Sequence, residues 1–383
     1  ILPVAEPRKK LWFHKMMSKY MKSVLYTNPF LKKRIENPHG EDFSKPGVII
    51  ANHTSFLDIL AIGMLHPKIC FLVNDWVYHS PIFGKAVQKA DFYPVSRGIE
   101  KSDKALSDKI AEGYSVMAFP EGTRSDSNYI RRFHKGAFYL AEQFELDIIP
   151  VLIHGNSETN PKGSFIIDDG SLTLHILPRI EFGDTTYGEN YSQQGKKVGA
   201  YFRKEFKSMR RRLESPTYFH NLIIREYRYK GNAMYQRAKA DLNKYAAVYD
   251  HLMWHLDKNT KIAHFTDDLG ELEFNLIYDG PRRKITTCLE DVEVRNMLRH
   301  SYLNQKYNRV RFVSTVEEVD LKAKKVLVIS TLKYESVLAE IPKNIKTIVL
   351  LKEAVAIDFE NIIKLGYKSV YSEADIVIFE RAE

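Results

Sequence analysis

The stretch NHTSFLD, residues 52–58, puts His53 and Asp58 five positions apart, directly after the apolar run VIIA, residues 48–51. A histidine suits proton removal from a hydroxyl near neutral pH, and a neighbouring carboxylate fixes its tautomer and raises its basicity. On one continuous helix, residues five apart point about 140° apart, so the two side chains would not meet. They meet if His53 sits on the turn after a strand and Asp58 in the first helical turn. Ser55-x-x-Asp58 also matches a capping box, in which Asp58 only starts a helix. A second stretch, FPEGTRS, residues 119–125, again follows an apolar run. Gly122 permits a tight turn whose N–H groups can face an anion. Arg124 offers a planar, permanently charged fork for phosphate, and Glu121 could bind a substrate hydroxyl or hold Arg124. Taken singly, this peptide also reads as a strand-to-loop turn with an ion pair. Arg97, in DFYPVSRG, follows a short apolar run and by itself reads as a surface charge.

The elements that must position these residues show in the apolar pattern. Between residues 46 and 182, strand-like runs fall at 48–51, 68–73, 115–120, 147–155 and 171–180, with helix-like segments such as FLDILAIGML and HKGAFYLAEQF between the earlier ones. Such alternation predicts an α/β domain with a largely parallel sheet. Residues 196–214 read as a basic helix, and Ser215-Pro216 breaks the pattern, which sets a domain boundary there. Residues 221–257 read as helical. A second series of strand-like runs follows: IAHF, FNLIY, KITTCL, RVRFV, KVLVIS, TIVLL, SVYS and IVIFE. The predicted fold class is therefore α/β in two domains. Residues 1–45 are expected to form a helical segment in which Trp12, Phe13, Met16, Met17, Tyr20 and Met21 recur at helical spacing among lysines. That pattern fits an interfacial membrane binder as well as a helix packed on its own domain.

The chain of 383 residues exceeds one ordinary core. Its 57 Lys and Arg against 48 Asp and Glu give a net charge of +9, which suits an anionic partner. No helix-turn-helix, RNP or zinc-finger pattern supports nucleic acid as that partner. The two cysteines, Cys70 and Cys288, lie far apart and argue against a disulfide scaffold. No apolar run reaches the length of a membrane span, and no signal peptide is visible. The chain does not begin with methionine, so a piece of a longer polypeptide is expected.

Together the blocks resemble the glycerophospholipid (PlsC-type) acyltransferase family. Asn52, His53 and Asp58 match its N-H-x-x-x-x-D block, Arg97 the arginine that ends its second block, and residues 119–125 its F-P-E-G-T-R-S block. FHKGAF, residues 133–138, and Ile149-Pro150-Val151 resemble later segments, so the likeness covers roughly residues 10–210. The resemblance implies a catalytic base, His53, oriented by Asp58. Arg97, Glu121, Gly122, Thr123 and Arg124 would bind the acceptor's head group or phosphate. It implies an acyl-CoA or acyl-carrier-protein donor, a lipid acceptor, no metal and no cofactor. It also implies an anionic membrane surface at the cytoplasmic face of an inner membrane. Residues 46–215 would form this domain.

Residues 216–383 resemble a class I S-adenosylmethionine-dependent methyltransferase, whose Rossmann-like sheet needs a glycine-rich loop after its first strand. In KIAHFTDDLGELEFNLIYDG only Gly270 stands in that loop. Leu289 falls where an acid should hold the ribose, with Glu290 or Asp291 one or two positions on. Larger residues in place of glycine block close approach of a cofactor, so this domain is expected not to bind S-adenosylmethionine. His251 and His255 stand four apart on a predicted helix, without the glutamate or third ligand of a zinc site. Two domains in this order resemble the soluble part of bacterial fusion proteins that begin with a multi-span lipid exporter, so covalent continuity with such a domain is expected. A lipid or pigment methyltransferase and a non-catalytic membrane scaffold are the alternative functions.

Overall fold

A computed structural model of the chain describes residues 6–81, 84–90, 92–95, 104–125, 129–161 and 167–382, with backbone only at 6–8. The chain divides into two compact units, residues 1–213 and 214–383.

The first unit is built on a seven-stranded sheet. Its strands are β1 (Leu31–Glu36), β2 (Gly47–Ala51), β3 (Ile69–Val73), β4 (Tyr93–Pro94), β5 (Ser115–Ala118), β6 (Asp147–His154) and β7 (Gly170–Ile176), in the order β1-β7-β6-β2-β5-β3-β4. From β6 to β4 neighbouring strands are parallel, whereas β7 runs antiparallel to β6 and parallel to β1. The central strands β2, β5 and β6 read as unbroken apolar runs because helices cover both faces of the sheet. Alternate residues serve the two faces. Ile49, Met117 and Ile149 pack with Met21, Leu25, Leu57 and Ile62 on one side. Val48, Val116 and Ile148 pack with Phe138, Val198 and Phe202 on the other.

Residues 1–45 differ from the expected helical segment. The described helix is Glu6–Thr27, and the chain then enters β1 and joins the sheet through β7. LKKRIE has the weak, charged pattern of an edge strand, so periodicity offered no apolar run to detect. The helix docks through Phe13, Met17, Met21, Val24 and Leu25. It packs on the helix Leu57–Gly63, where a Cβ on Gly63 would lie 2.2 Å from the Met21 sulfur.

The second unit holds β8 (Lys261–Phe265), β9 (Lys284–Cys288), β10 (Val310–Val313), β11 (Val326–Ile329), β12 (Thr347–Leu351), β13 (Tyr367–Glu373) and β14 (Ile376–Arg381). Their order is β10-β9-β8-β11-β12-β14-β13, parallel from β10 to β12 and closed by the antiparallel β14 and β13. The first five strands thus follow the 3-2-1-4-5 order of a doubly wound, Rossmann-like sheet. FNLIY, expected as a strand, lies inside the helix Glu271–Asp279. That helix is buried on nearly every side, so its apolar run lacks the one-sided period that would separate it from a buried strand. A buried polar network ties this helix to the sheet. His264 Nδ1 lies 2.6 Å from Glu273 and its Nε2 lies 2.7 Å from the Ser330 hydroxyl, while the Thr287 hydroxyl donates to the same Glu273 oxygen.

Candidate active site

Three adjacent parallel strands, β6, β2 and β5, end at the same edge of the first sheet, because Ile50 pairs with both Ala118 and Pro150. The residues beyond those ends therefore converge. Asn52 fixes the meeting of β2 and β6: its amide nitrogen donates to the Ile153 carbonyl at 2.8 Å and its oxygen accepts from Ile153 N–H at 2.8 Å. His53 stands on the turn, and the helix Leu57–Gly63 begins four residues on with Asp58 in its first turn.

His53 Nδ1 and Asp58 Oδ2 are 2.9 Å apart, with Asp58 fully buried and His53 slightly exposed. The same Asp58 oxygen accepts the backbone N–H groups of Thr54 at 2.6 Å and Ser55 at 2.8 Å. Its other oxygen accepts from the Asn156 amide at 2.7 Å. The capping contact from Asp58 to Ser55 N–H and the contact to His53 thus coexist. A carboxylate that receives this set of N–H groups acts as an acceptor, which puts the imidazole proton on Nδ1 and the lone pair on Nε2. No described residue hydrogen-bonds to that Nε2. The imidazole stacks on the Phe119 ring, centroids 3.9 Å apart and planes 13° apart, which fixes its plane.

Glu121 was expected at the acceptor head group. Its two oxygens are instead taken by backbone donors: His53 N–H at 2.9 Å and Arg131 N–H at 2.8 Å. It ties the His53 turn to residues 119–131. Ser125 N–H adds a bond to the His53 carbonyl at 2.7 Å. Gly122 has φ +70°, a conformation that favours glycine, and a Cβ there would sit 3.1 Å from the His134 ring. Gly122 and Thr123 are exposed, Arg124 is half-buried, and the exposed His134 lies beside Gly122. Arg97 lies outside the described residues. Nothing in the sequence pointed to Asn156 or to the Phe119 stack: Asn156 is 98 positions from Asp58, and only the Gly-Asn turn after β6 marks it.

In the second unit the loop after β8 holds the position where a doubly wound sheet receives a nucleotide. Several of its polar groups are engaged, while Asp268 Oδ2 and Glu271 Oε1 are buried without a hydrogen-bond partner among the described residues. Asp268 N–H donates to the Thr266 hydroxyl, Leu269 N–H to Glu271, and the Leu269 carbonyl accepts from the Tyr227 hydroxyl. Arg237 donates to the Asp267 carbonyl. Two lysines neutralise the acids. Lys333 bridges Glu290 at 2.6 Å and Asp267 at 3.8 Å, and Lys352 pairs with Asp268 at 2.7 Å. Leu289 is buried, and Asp291 caps the following helix. Burial pushes the Glu271 carboxyl up to about 8. His251 stacks on Tyr371 and on His255.

Burial also pushes Glu121 from its usual 4.5 up to about 7, against the lowering effect of its two N–H bonds. The folded chain then holds this proton to higher pH than the unfolded chain. The resulting stabilisation is complete below 4.5 and is lost as pH rises through 7, amounting to about 3 kcal/mol. Glu121→Gln should flatten this part of the stability–pH curve. Urea unfolding of both proteins across that window checks it, and parallel curves would disprove the effect.

Residues 31–154 match the family model described as Acyltransferase. The chain is 32% identical over 171 residues to the chloroplastic 1-acyl-sn-glycerol-3-phosphate acyltransferase LPAT1 of Arabidopsis thaliana, covering 43% of this chain and 48% of that protein. It is 28% identical over 160 residues to the human 1-acyl-sn-glycerol-3-phosphate acyltransferase beta, covering 39% and 56%. The chain thus spans about half the length of the curated relatives it matches. Among solved structures, it is similar to the 1-acyl-sn-glycerophosphate acyltransferase PlsC of Thermotoga maritima, with TM-score 0.46, 20% identity, and 56% and 85% of the two chains covered. It is also similar to the B. subtilis tRNA methyltransferase TrmK, with TM-score 0.29, 11% identity, and 35% and 65% covered. The stretch that matches the Acyltransferase model, residues 31–154, carries the His53–Asp58 pair.

Proposed function

We propose that the chain transfers a fatty acyl group from a thioester donor, acyl-CoA or acyl-carrier protein, to the free hydroxyl of 1-acylglycerol-3-phosphate, forming phosphatidate for phospholipid synthesis. The observation that carries this reading is the His53 ring, held by Asp58 at Nδ1 with Nε2 open. Nε2 takes the proton of the acceptor hydroxyl as its oxygen attacks the thioester carbonyl. Asp58 stabilises the imidazolium that forms. Collapse of the tetrahedral intermediate makes the ester and expels the thiolate, which takes the proton back from Nε2. Gly122, Thr123, Arg124 and Arg97 bind the acceptor phosphate. Glu121 acts on this site by holding the His53 turn.

The acceptor is a lipid, and the N-terminal helix supplies a way to reach it. Its outward face carries Trp12, Met16 and Tyr20 at four-residue spacing, all exposed, among exposed Lys9, Lys15, Lys19 and Lys22. An aromatic stripe flanked by lysines suits the headgroup boundary of an anionic membrane, here the cytoplasmic face of an inner membrane. No helix among the described residues is long and apolar enough to cross a membrane. The second unit keeps a Rossmann-like sheet in which Thr266, Asp267, Asp268 and Leu269 precede Gly270 in the loop after β8, and Lys333 and Lys352 pair with its aspartates. Those larger residues, in place of the glycines that let a cofactor approach, weigh against a methyltransferase.

Three measurements test these readings. His53→Ala should lower transfer of labelled acyl groups to 1-acylglycerol-3-phosphate by at least ~10³-fold, and Asp58→Asn by ~10²–10⁴-fold, with unchanged folding. Equal turnover in wild type and His53→Ala would remove the base. Trp12→Glu with Tyr20→Glu should abolish sedimentation with anionic vesicles; retained binding would assign the contact elsewhere. Titration calorimetry with S-adenosylmethionine should show no binding up to ~1 mM, and a micromolar isotherm would restore the methyltransferase alternative.

A further inference from the structure

The fourth donor to Asp58 is the side chain of Asn156, and its setting is unusual for a residue that serves packing. Asn156 is 1% exposed, and its side-chain amide donates to Asp58 Oδ1 at 2.7 Å, while its own side-chain oxygen has no hydrogen-bond partner among the described residues. An apolar residue of similar size would avoid that unsatisfied atom at this depth. The backbone is shaped to deliver this amide. β6 ends at His154, and Gly155 turns the chain with φ +93°, where a Cβ would stand 1.7 Å from the Ser171 carbonyl oxygen. Asn156 is the first residue after that turn. Two further contacts hold its loop against the His53 turn: the Asn52–Ile153 pair and the Ser55 hydroxyl donating to Asn160 at 2.9 Å.

We infer that Asn156 is a positioning residue for acyl transfer: it fixes the rotation of the Asp58 carboxylate, so that Oδ2 faces His53 Nδ1 and the imidazole keeps its proton there. The inference rests on the proposed role of His53. Thr54 and Ser55 N–H groups hold Oδ2 alone. Without a donor on Oδ1, the carboxylate can turn about its Cβ–Cγ bond, and the His53 ring loses its single tautomer and orientation. The effect belongs to the chemical step and not to acceptor binding, because Asn156 is buried behind Asp58.

Asn156→Leu and Asn156→Asp separate this role from a structural one. In the full chain, Asn156→Leu should lower kcat about 10- to 100-fold, the worth of a hydrogen bond to a charged group, with KM within about twofold, and should lower the thermal midpoint because buried Asp58 Oδ1 loses its donor. The carboxyl introduced by Asn156→Asp can donate to Asp58 only when it carries a proton, and two carboxyls sharing a buried site retain one. This second variant should therefore keep most of its turnover near pH 6 and lose it toward about pH 9, a new alkaline limb. His53 and Glu121, the other titratable groups near Asp58, are common to all the variants and to wild type. A readout without turnover comes from the ¹⁵N shifts of the His53 ring: a single Nδ1–H tautomer in wild type, a mixture in Asn156→Leu. Wild-type kcat in Asn156→Leu, or an unchanged ring tautomer, would overturn the inference. A wild-type chain that transfers nothing would instead count against the proposed function, and the ring spectra would still decide the part played by Asn156.

Discussion

The first unit is organised around one buried carboxylate. Asp58 is shut away from water, and its two oxygens are satisfied by backbone N–H groups of the preceding turn, by the His53 ring and by the Asn156 amide. A buried acid left short of donors would cost several kcal/mol, so the fold must bring them. Local chain supplies Thr54, Ser55 and His53. Only the neighbouring strand supplies Asn156. The parallel register of β2 with β6, reinforced by the two bonds of Asn52 to Ile153, is what brings the last donor within reach.

The same edge shows a second buried carboxylate with a different task. Glu121 spends both oxygens on backbone N–H groups, one on the His53 turn and one ten residues further along its own loop. It joins the end of β2 to the end of β5 much as Asn156 joins β2 to β6. With Phe119 stacked on the imidazole, the His53 ring is held at one nitrogen, on one face and through its own backbone N–H. The exposed Gly122 and Thr123 and the half-buried Arg124 are not part of that rigid inner set. The division is between a rigidly held imidazole and a more exposed surface beside it.

The two units use one architectural rule with opposite results. Both place loops at the C-terminal ends of parallel strands, where doubly wound sheets take their ligands. In the first unit the loops present an open ring nitrogen. In the second, Tyr227, Glu271, Arg237 and Thr266 hydrogen-bond to the loop after β8, and Lys333 and Lys352 pair with its acids. Sheet topology does not depend on that loop, because it rests on buried strand residues such as Ile262, Leu327 and Ile348.

The sequence by itself determined the α/β class, the positions of nearly all strands and the candidate pair His53 and Asp58. These follow from local facts: apolar runs, their spacing, and a histidine and an aspartate five positions apart at the end of one of those runs. The glycine-poor loop before Gly270 was equally local. Tertiary structure decided the rest. LKKRIE became a strand because β7 offers it an edge, and FNLIY became helix because it is surrounded on all sides, conditions that no one-dimensional period encodes. Glu121 turned inward to backbone donors because β5 ends beside β2. Asn156 met Asp58 because Gly155 turns the end of β6 toward it. Both of these last contacts join residues tens of positions apart, and the energy that selects them comes from burial and hydrogen-bond satisfaction, which exist only once the strands have aligned.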